Sequence, residues 1–494
     1  MLLGGIDVGT TGCKITIYEE NGMFCYEAYR DYPVIRSGEH EVRAEAIWQG
    51  VKEVIKAAAD ECKDIRAIGI TSFGESCVLL DERDESLLPV MLYTDPRGEE
   101  QCKRLAGQIG SEKIENIAGV HPHPMYSLPK IMWIKENKAE EYTRAKHICM
   151  MEDYVIYMLT GQAVIDYSLA ARSMAFDIEK LEWSDVIFNA AGIDKELFST
   201  PVLSGTRAGC IKKELAEELG LSLDIVIVPV GHDQVAAAIG AGVFATDTGV
   251  DGAGTVECIT PVYEGIPKGR TMKEGGYAII PYVIPGRYVT YAFSYTGGAL
   301  ISWYLEQFAK YEKQLAKETG QSVYGILEQD MKDEPTGILV LPHLAGAATP
   351  YMDTGAKGAV VGLAIEHTTA DLYRAMMEGV CYEMMLNMEW LENAGIRPKQ
   401  LRATGGGAKS KIWMQMKADI LNVPITSLGN AEAGAVGCAM MAGVATGAFM
   451  DMDHAADVMI VEKETYYPRK EQHEAYKKYF ERYKNLYQAV RPLV

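Results

Sequence analysis

An acid that directly follows an apolar run is the first group in this chain placed to do chemistry. Residues Val226 to Val230 lead through Gly231 and His232 to Asp233 and Gln234, and an Ala-rich stretch runs on from Val235 to Gly242. The apolar run reads as a buried parallel strand and the stretch after it as a close-packed helix. Asp233 is then both a plausible helix N-cap and a carboxylate at the carboxyl end of a strand, the edge where open α/β sheets bind ligands. From that edge it can take the proton of a hydroxyl. Glu75 sits in the polar break Ser72 to Ser76 at a comparable edge, where it can accept hydrogen bonds from hydroxyls. Asp95 and Arg97 follow another short strand and place a second acid and a guanidinium at a third edge.

Glycine turns offer a second chemistry. Asp7, Val8, Gly9, Thr10, Thr11 and Gly12 lie between the strands Leu2 to Ile6 and Lys14 to Tyr18. Such a hairpin presents backbone N–H groups and threonine hydroxyls to a phosphate, with Lys14 as a cation and Asp7 as a magnesium partner through water. It is not a Walker loop, because Gly-Lys-Ser/Thr is absent and a strand follows. A similar turn recurs just past the central helix at Asp251, Gly252, Ala253, Gly254 and Thr255. Two such turns across the midpoint describe a nucleotide clamp whose halves can close. Gly405, Gly406 and Gly407 let the backbone approach a flat ring or a phosphate.

The elements that must hold these groups alternate. Helical spacing runs from Ala44 to Cys62, a strand from Ile65 to Thr71, and further helices from Met150 to Gly161 and from Thr368 to Leu391. The tail from Pro468 to Val494 reads as a charged, Tyr-rich helix packed on the surface. With 494 residues, 48% of them hydrophobic, the chain can bury two full cores. A formal net charge of -20 argues against nucleic-acid and anionic-membrane partners. Ten scattered cysteines without a C-x-x-C pair fit reduced thiols and a cytoplasmic setting. The uncharged run Ala433 to Met450 is rich in Gly, Ala and Thr, which reads as a tightly packed helix and loop rather than a membrane span.

Taken together, these residues resemble the FGGY family of carbohydrate kinases along essentially the whole chain. Met125 to Trp133, M-Y-S-L-P-K-I-M-W, resembles the family's first signature. Gly358 to Leu363, followed by Asp371, Leu372, Ala375, Met376, Met377 and Glu378, is similar to its second. The resemblance implies an α/β fold of two actin-like (ribonuclease H-like) ATPase domains, residues 1–244 and 245–494, with a cleft between them. It implies that Asp7, Gly9, Thr10, Thr11 and Lys14 form a first phosphate hairpin, and Gly254 with Thr255 a second. Gly405, Gly406 and Gly407 match an adenosine loop, and Asp233 the catalytic base. ATP and Mg2+ are the implied cofactors, the metal near Asp7 and Asp233, with Glu75, Asp95, Arg97, Asp233 and Gln234 around the acceptor.

The acceptor is the least determined part. Members that phosphorylate xylulose typically show Q-M-H-G where this chain has Phe73, Gly74, Glu75 and Ser76. Glycerol kinases show Arg then Glu; Glu75 fits, Gly74 lacks the arginine, and Met125 stands where they place a substrate-binding tyrosine. The expectation is a kinase of a small ketose or polyol, xylulokinase-like, with glycerol or another polyol as the alternative. A non-catalytic actin-like nucleotide switch is the alternative from another class. A homodimer is compatible with the sequence.

Overall fold

Two sheets, one from each half of the chain, are built in the same order in the computed structural model, which describes residues 1–36, 40–429 and 432–494. The first contains β1 (Leu2–Val8), β2 (Gly12–Glu19), β3 (Phe24–Asp31), β4 (Ile65–Ser72) and β5 (Val226–His232). Its order is β5-β4-β1-β2-β3, with the short strand Gly209–Cys210 outside β5. The second contains β6 (Thr248–Ala253), β7 (Glu257–Glu264), β8 (Arg287–Val289), β9 (Gln400–Thr404), β10 (Ile425–Leu428) and β11 (Glu462–Tyr466). They run β8-β7-β6-β9-β10-β11. In each sheet the first strand is central, pairs antiparallel with the next strand of a hairpin, and pairs parallel with a later strand on its other side. The parallel strands end on one edge, and the groups that follow them meet there.

Ten helices matter to the site. From the first half these are α1 (Ala44–Glu61), α2 (Ser127–Asn137), α3 (Met151–Thr160), α4 (Tyr167–Ala171) and α5 (Asp233–Gly240). The second half supplies α6 (Gly298–Gln307), α7 (Thr369–Asn393), α8 (Lys411–Leu421), α9 (Ala433–Thr446) and α10 (Lys470–Tyr483). Asp371, inside the second signature, closes a capping box with Thr368 at the start of α7 and so has a structural use. The tail departs from its surface assignment: Tyr476, Phe480 and Tyr483 of α10 are buried in the core of the second half. The two tyrosine hydroxyls explain part of this, since Tyr483 donates to Glu383 and Tyr476 accepts from Arg374. None of the described helices is long and apolar enough to cross a membrane.

Helix α9 joins the halves. It is apolar all round, and Ala433 and Ala435 through Gly443 are buried. Although it comes late in the chain, it lies across β1 and β4 of the first sheet and against α5. The approach is backbone to backbone. A Cβ added at Gly5 would strike the carbonyl of Ala435, at Gly69 that of Cys438, at Gly240 that of Ala433, and at Gly437 that of Ala236. Backbone cannot swing aside as the end of a side chain can, so four glycines set the separation of sheet and helices. Exchanging Gly for Ala inside a helix ordinarily gains about 1 kcal/mol. Gly437→Ala is expected to reverse that sign and lose about 1–3 kcal/mol through overpacking, read as a lower urea midpoint; an equal or higher midpoint would refute the close approach.

Candidate functional site

β5 is interrupted just before the site. Pro229 brings no N–H to the ladder, and the register with β4 shifts between Pro229 and Gly231. Buried Glu152 of α3 takes over, accepting the N–H of Val230 at 2.7 Å and of Gly231 at 2.6 Å. Gly231 adopts φ 119°, and a Cβ there would lie 2.8 Å from Asp166 Oδ2. The His232 N–H donates to Ser168 Oγ at 3.0 Å, and that hydroxyl donates to Asp166. Thr71 donates to the Gly231 carbonyl at 2.6 Å. The bulge therefore delivers His232 as the N-cap of α5 and Asp233 as its first residue. This corrects the N-cap expectation for Asp233: the acid stands one position too far along to cap.

Asp233 is left with an unsatisfied oxygen. Its Oδ1 is buried and accepts no hydrogen bond. His232 Nδ1 lies 3.4 Å away, while the side chain as a whole is 39% exposed. Burial pushes the carboxyl up to about 6, against hydrogen bonds from Gln234 and the charge of Arg172. The imidazole beside it is neutral, because burial, reinforced by Arg172, pulls His232 down to about 3. Its Nδ1 also lies 3.1 Å from the hydroxyl of Tyr291, which comes from the second half of the chain. An unprotonated acid at a strand end, next to a neutral ring, is suited to accept a proton.

Glu75 meets a partner that the sequence reading did not contain. It holds φ 64° in the loop after β4 and is buried. Arg172, just past α4, donates from Nε to its Oε1 at 2.5 Å and pairs again through Nη2. The guanidinium lies over the rings of Tyr126 and Tyr291, 5.2 and 5.5 Å from their centroids. Gly74 makes room for His232, whose Cδ2 would be 2.9 Å from an added Cβ. Glu75, Arg172, Tyr291, His232 and Asp233 thus form one connected wall.

Asp95 and Arg97 are committed to each other. Asp95 accepts from the Arg97 N–H, Nε and Nη2 and from the His40 N–H. Arg97 also reaches Glu41 and lies over Trp133. Nearby Lys130, inside the first signature, donates to the carbonyls of Pro124 and Met125, and burial pulls it down to about 8.

The first glycine turn is held by Tyr32, whose hydroxyl donates to the carbonyls of Gly9 and Gly12. Thr11 is exposed and Thr10 partly so. Lys14 lies 3.0 Å from Glu432 and 3.8 Å from Glu27. Asp7 ends near the start of α9, with its Oδ2 3.8 Å from where a Gly434 Cβ would be. Burial, then Asp233 and Glu432, push Asp7 up to about 7 against the pull of Lys14. A magnesium ion suits this setting, since it binds through one or two carboxylates and keeps its waters. The repulsion among Asp7, Asp233 and Glu432 and the orphaned Oδ1 of Asp233 are what a cation relieves. Among the described residues no group of three or more His, Cys, Asp or Glu makes a complete protein cage for a metal.

The second turn and the triple glycine come together. Gly405 has φ 86°, and a Cβ there would lie 2.6 Å from the Ala253 carbonyl, while Gly407 fits against the Ala253 side chain. Gly254 and Thr255 are exposed, and their carbonyls accept the N–H groups of Gly298 and Ala299 at the start of α6. Beneath them lies a cluster with no sequence signal. Lys417 of α8 donates to Asp251 Oδ2 at 2.7 Å and to Glu257 across the hairpin, all three buried. Burial drives Glu257 well up, with Asp251 adding to it and Lys417 opposing. Nothing in the spacing of 251, 257 and 417 announces this pairing; Arg172 was equally invisible.

Comparison with known proteins gives a consistent result. Residues 2–240 match the N-terminal domain model of the FGGY family of carbohydrate kinases and residues 271–446 the C-terminal one. A xylulose kinase of Bacillus subtilis is 29% identical, covering 99% of this chain and 97% of its own. A gluconokinase of the same organism is 26% identical, with 92% and 90% covered. The crystal structure of ligand-bound xylulose kinase from Lactobacillus acidophilus shares the fold with a TM-score of 0.90 at 24% identity, covering 99% and 98%.

Lys417→Met removes the only cation described between Asp251 and Glu257 while keeping most of the apolar stem. Stranding one partner of a buried pair typically costs about 3–5 kcal/mol, so the urea midpoint should fall sharply. An unchanged midpoint would show that the cluster carries no such charge.

Proposed function

Because the chain belongs to the FGGY family of carbohydrate kinases, phosphotransferases with an alcohol acceptor and two actin-like ATPase domains, we propose that it transfers the γ-phosphate of ATP to a hydroxyl of a small uncharged ketose of the xylulose kind. The observation that carries this reading is Asp233, a raised carboxyl with one buried, unpartnered oxygen at the end of β5. Asp233 accepts the proton of the acceptor hydroxyl as its oxygen attacks the γ-phosphorus, and the bond to the bridging oxygen of ADP breaks. Neutral His232 lies beside the acid without adding a competing charge. Gly9, Thr10, Thr11 and Lys14 of the first turn and Gly254 and Thr255 of the second hold the phosphates, and Gly405, Gly406 and Gly407 receive the adenosine. Asp7 and Asp233 would hold magnesium, which would supply positive charge against the phosphates of the nucleotide. Glu75, Gln234 and, across the loop, Asp95 and Arg97 line the acceptor side. Residues 1–244 and 245–494 act as the two closing halves. The ten free cysteines fit work in the cytoplasm. The connected wall from Glu75 to Asp233 supports an acceptor pocket over a nucleotide switch without chemistry.

Two outcomes test the base. Asp233→Asn should lower turnover by about 10²–10⁴-fold while ATP affinity holds. It should also melt higher than the parent at pH 8, because a carboxyl whose folded pKa exceeds its unfolded value costs stability at every pH above about 6. Near-native turnover by a folded Asn variant would remove Asp233 from the mechanism.

The pH profile has a definite direction. Asp233 works unprotonated, so kcat/KM should fall as pH drops through about 6, with Asp7, at about 7, broadening that acid limb. A profile flat down to pH 5 would contradict the raised acid.

A further inference from the structure

Among the described residues, every cation near the acceptor wall already has a partner. Lys14 pairs with Glu432, Lys130 donates to two carbonyls, and Arg97 pairs with Asp95 and Glu41. Arg172 is the cation whose charge reaches Asp233, and Glu75 occupies it through both Nε and Nη2. The pair is buried with the guanidinium between two tyrosines, so solvent does little to screen it. Glu75 is held there at a cost, since φ 64° is a left-handed conformation that a side chain rarely adopts. An acceptor that carries a carboxylate would meet Asp233, Asp7 and Glu75, and among the described residues each nearby cation is already paired with an acid or, like Lys130, buried against carbonyls. An uncharged polyol meets no such penalty.

We propose that Glu75 keeps Arg172 closed as a latent carboxylate receptor, so that this cleft takes uncharged sugars and refuses sugar acids; this rests on reading the cleft as the acceptor site. The chemistry follows from the guanidinium. Its planar fork pairs with any carboxylate that reaches it, and a buried guanidinium without a partner is strongly disfavoured. Neutralising Glu75 leaves Arg172 in that state, and a sugar acid then supplies the missing charge. The contrast between xylulose kinase and gluconokinase relatives is the same contrast of acceptors, uncharged ketose against aldonate.

The test uses Glu75→Gln with the full-length chain, D-gluconate as the acidic probe, D-xylulose as the uncharged one and acetate as a carboxylate without a sugar. Calorimetric binding and the thermal midpoint are read for each probe, then ATP-dependent turnover. Gluconate should bind the variant at least about tenfold more tightly than the parent, as expected for a charge-assisted pair, and should raise the variant's midpoint but not the parent's. The double variant Glu75→Gln with Arg172→Gln, which lacks both charges, should lose the gain. If Glu75→Gln does not fold, Glu75→Asp, which withdraws the carboxylate by one methylene, should show a smaller gain of the same sign. A folded variant that binds gluconate no better than the parent overturns the proposal, as does a gain that survives loss of Arg172. A parent that phosphorylates gluconate as well as xylulose also overturns it. A parent that ignores xylulose overturns the substrate reading instead, and the gluconate gain in the variant still decides the role of Glu75.

Discussion

The contact of backbone with backbone around α9 is the constraint on which the rest depends. Gly5 and Gly69 admit the helix to the first sheet, and Gly240 and Gly437 let α5 and α9 touch through their carbonyls. No longer side chain at those four places is compatible with the spacing. Because of it, a helix from the second half of the chain starts beside Asp7 at the end of β1, and Tyr291 of that half reaches His232 at the end of β5. The proposed site, spread over residues 7, 75, 172, 233 and 291, needs such a rigid joint, since misplacement by about 1 Å is enough to cost an enzyme rate heavily.

Electrostatics within the cleft follow from burial more than from any single partner. Asp233 and Asp7 are raised chiefly by loss of water, His232 is lowered by the same cause, and the neighbouring charges adjust each. The result is division of labour among groups of similar intrinsic chemistry. Two carboxyls are poised to shed protons near neutrality, the imidazole stays uncharged, and Glu75 is spent on Arg172. Glu152 and Asp166 do work of another kind: Glu152 replaces the ladder that Pro229 interrupts by accepting the N–H groups of Val230 and Gly231, and Asp166 caps α4 and fixes the Ser168 hydroxyl that accepts the His232 N–H.

The second half repeats the sheet order of the first but stabilises its turn differently. Tyr32 ties the first turn through two carbonyls, whereas the second rests on the start of α6, on the triple glycine and on the Lys417 cluster below. Duplicated topology therefore does not bring duplicated support. The surroundings of each hairpin are particular to its half.

Local pattern alone determined the strand and helix that deliver Asp233, both glycine turns, the triple glycine and the alternating α/β class, and two short signatures carried the resemblance to the family, because each is written in residues that lie close together in the chain. Period, turn chemistry and signature are short-range properties. Tertiary structure decided what lies far apart in sequence. Arg172 meets Glu75 across 97 residues, Tyr291 meets His232 across 59, and Lys417 meets Asp251 across 166. It also moved the N-cap from Asp233 to His232, because Glu152 absorbs a bulge that no local rule places, and it buried Tyr483 against the acceptor Glu383 and Tyr476 against the donor Arg374, both on α7. A carboxylate's role depends on the charge and the water around it, and both are set by chain segments that only folding brings together.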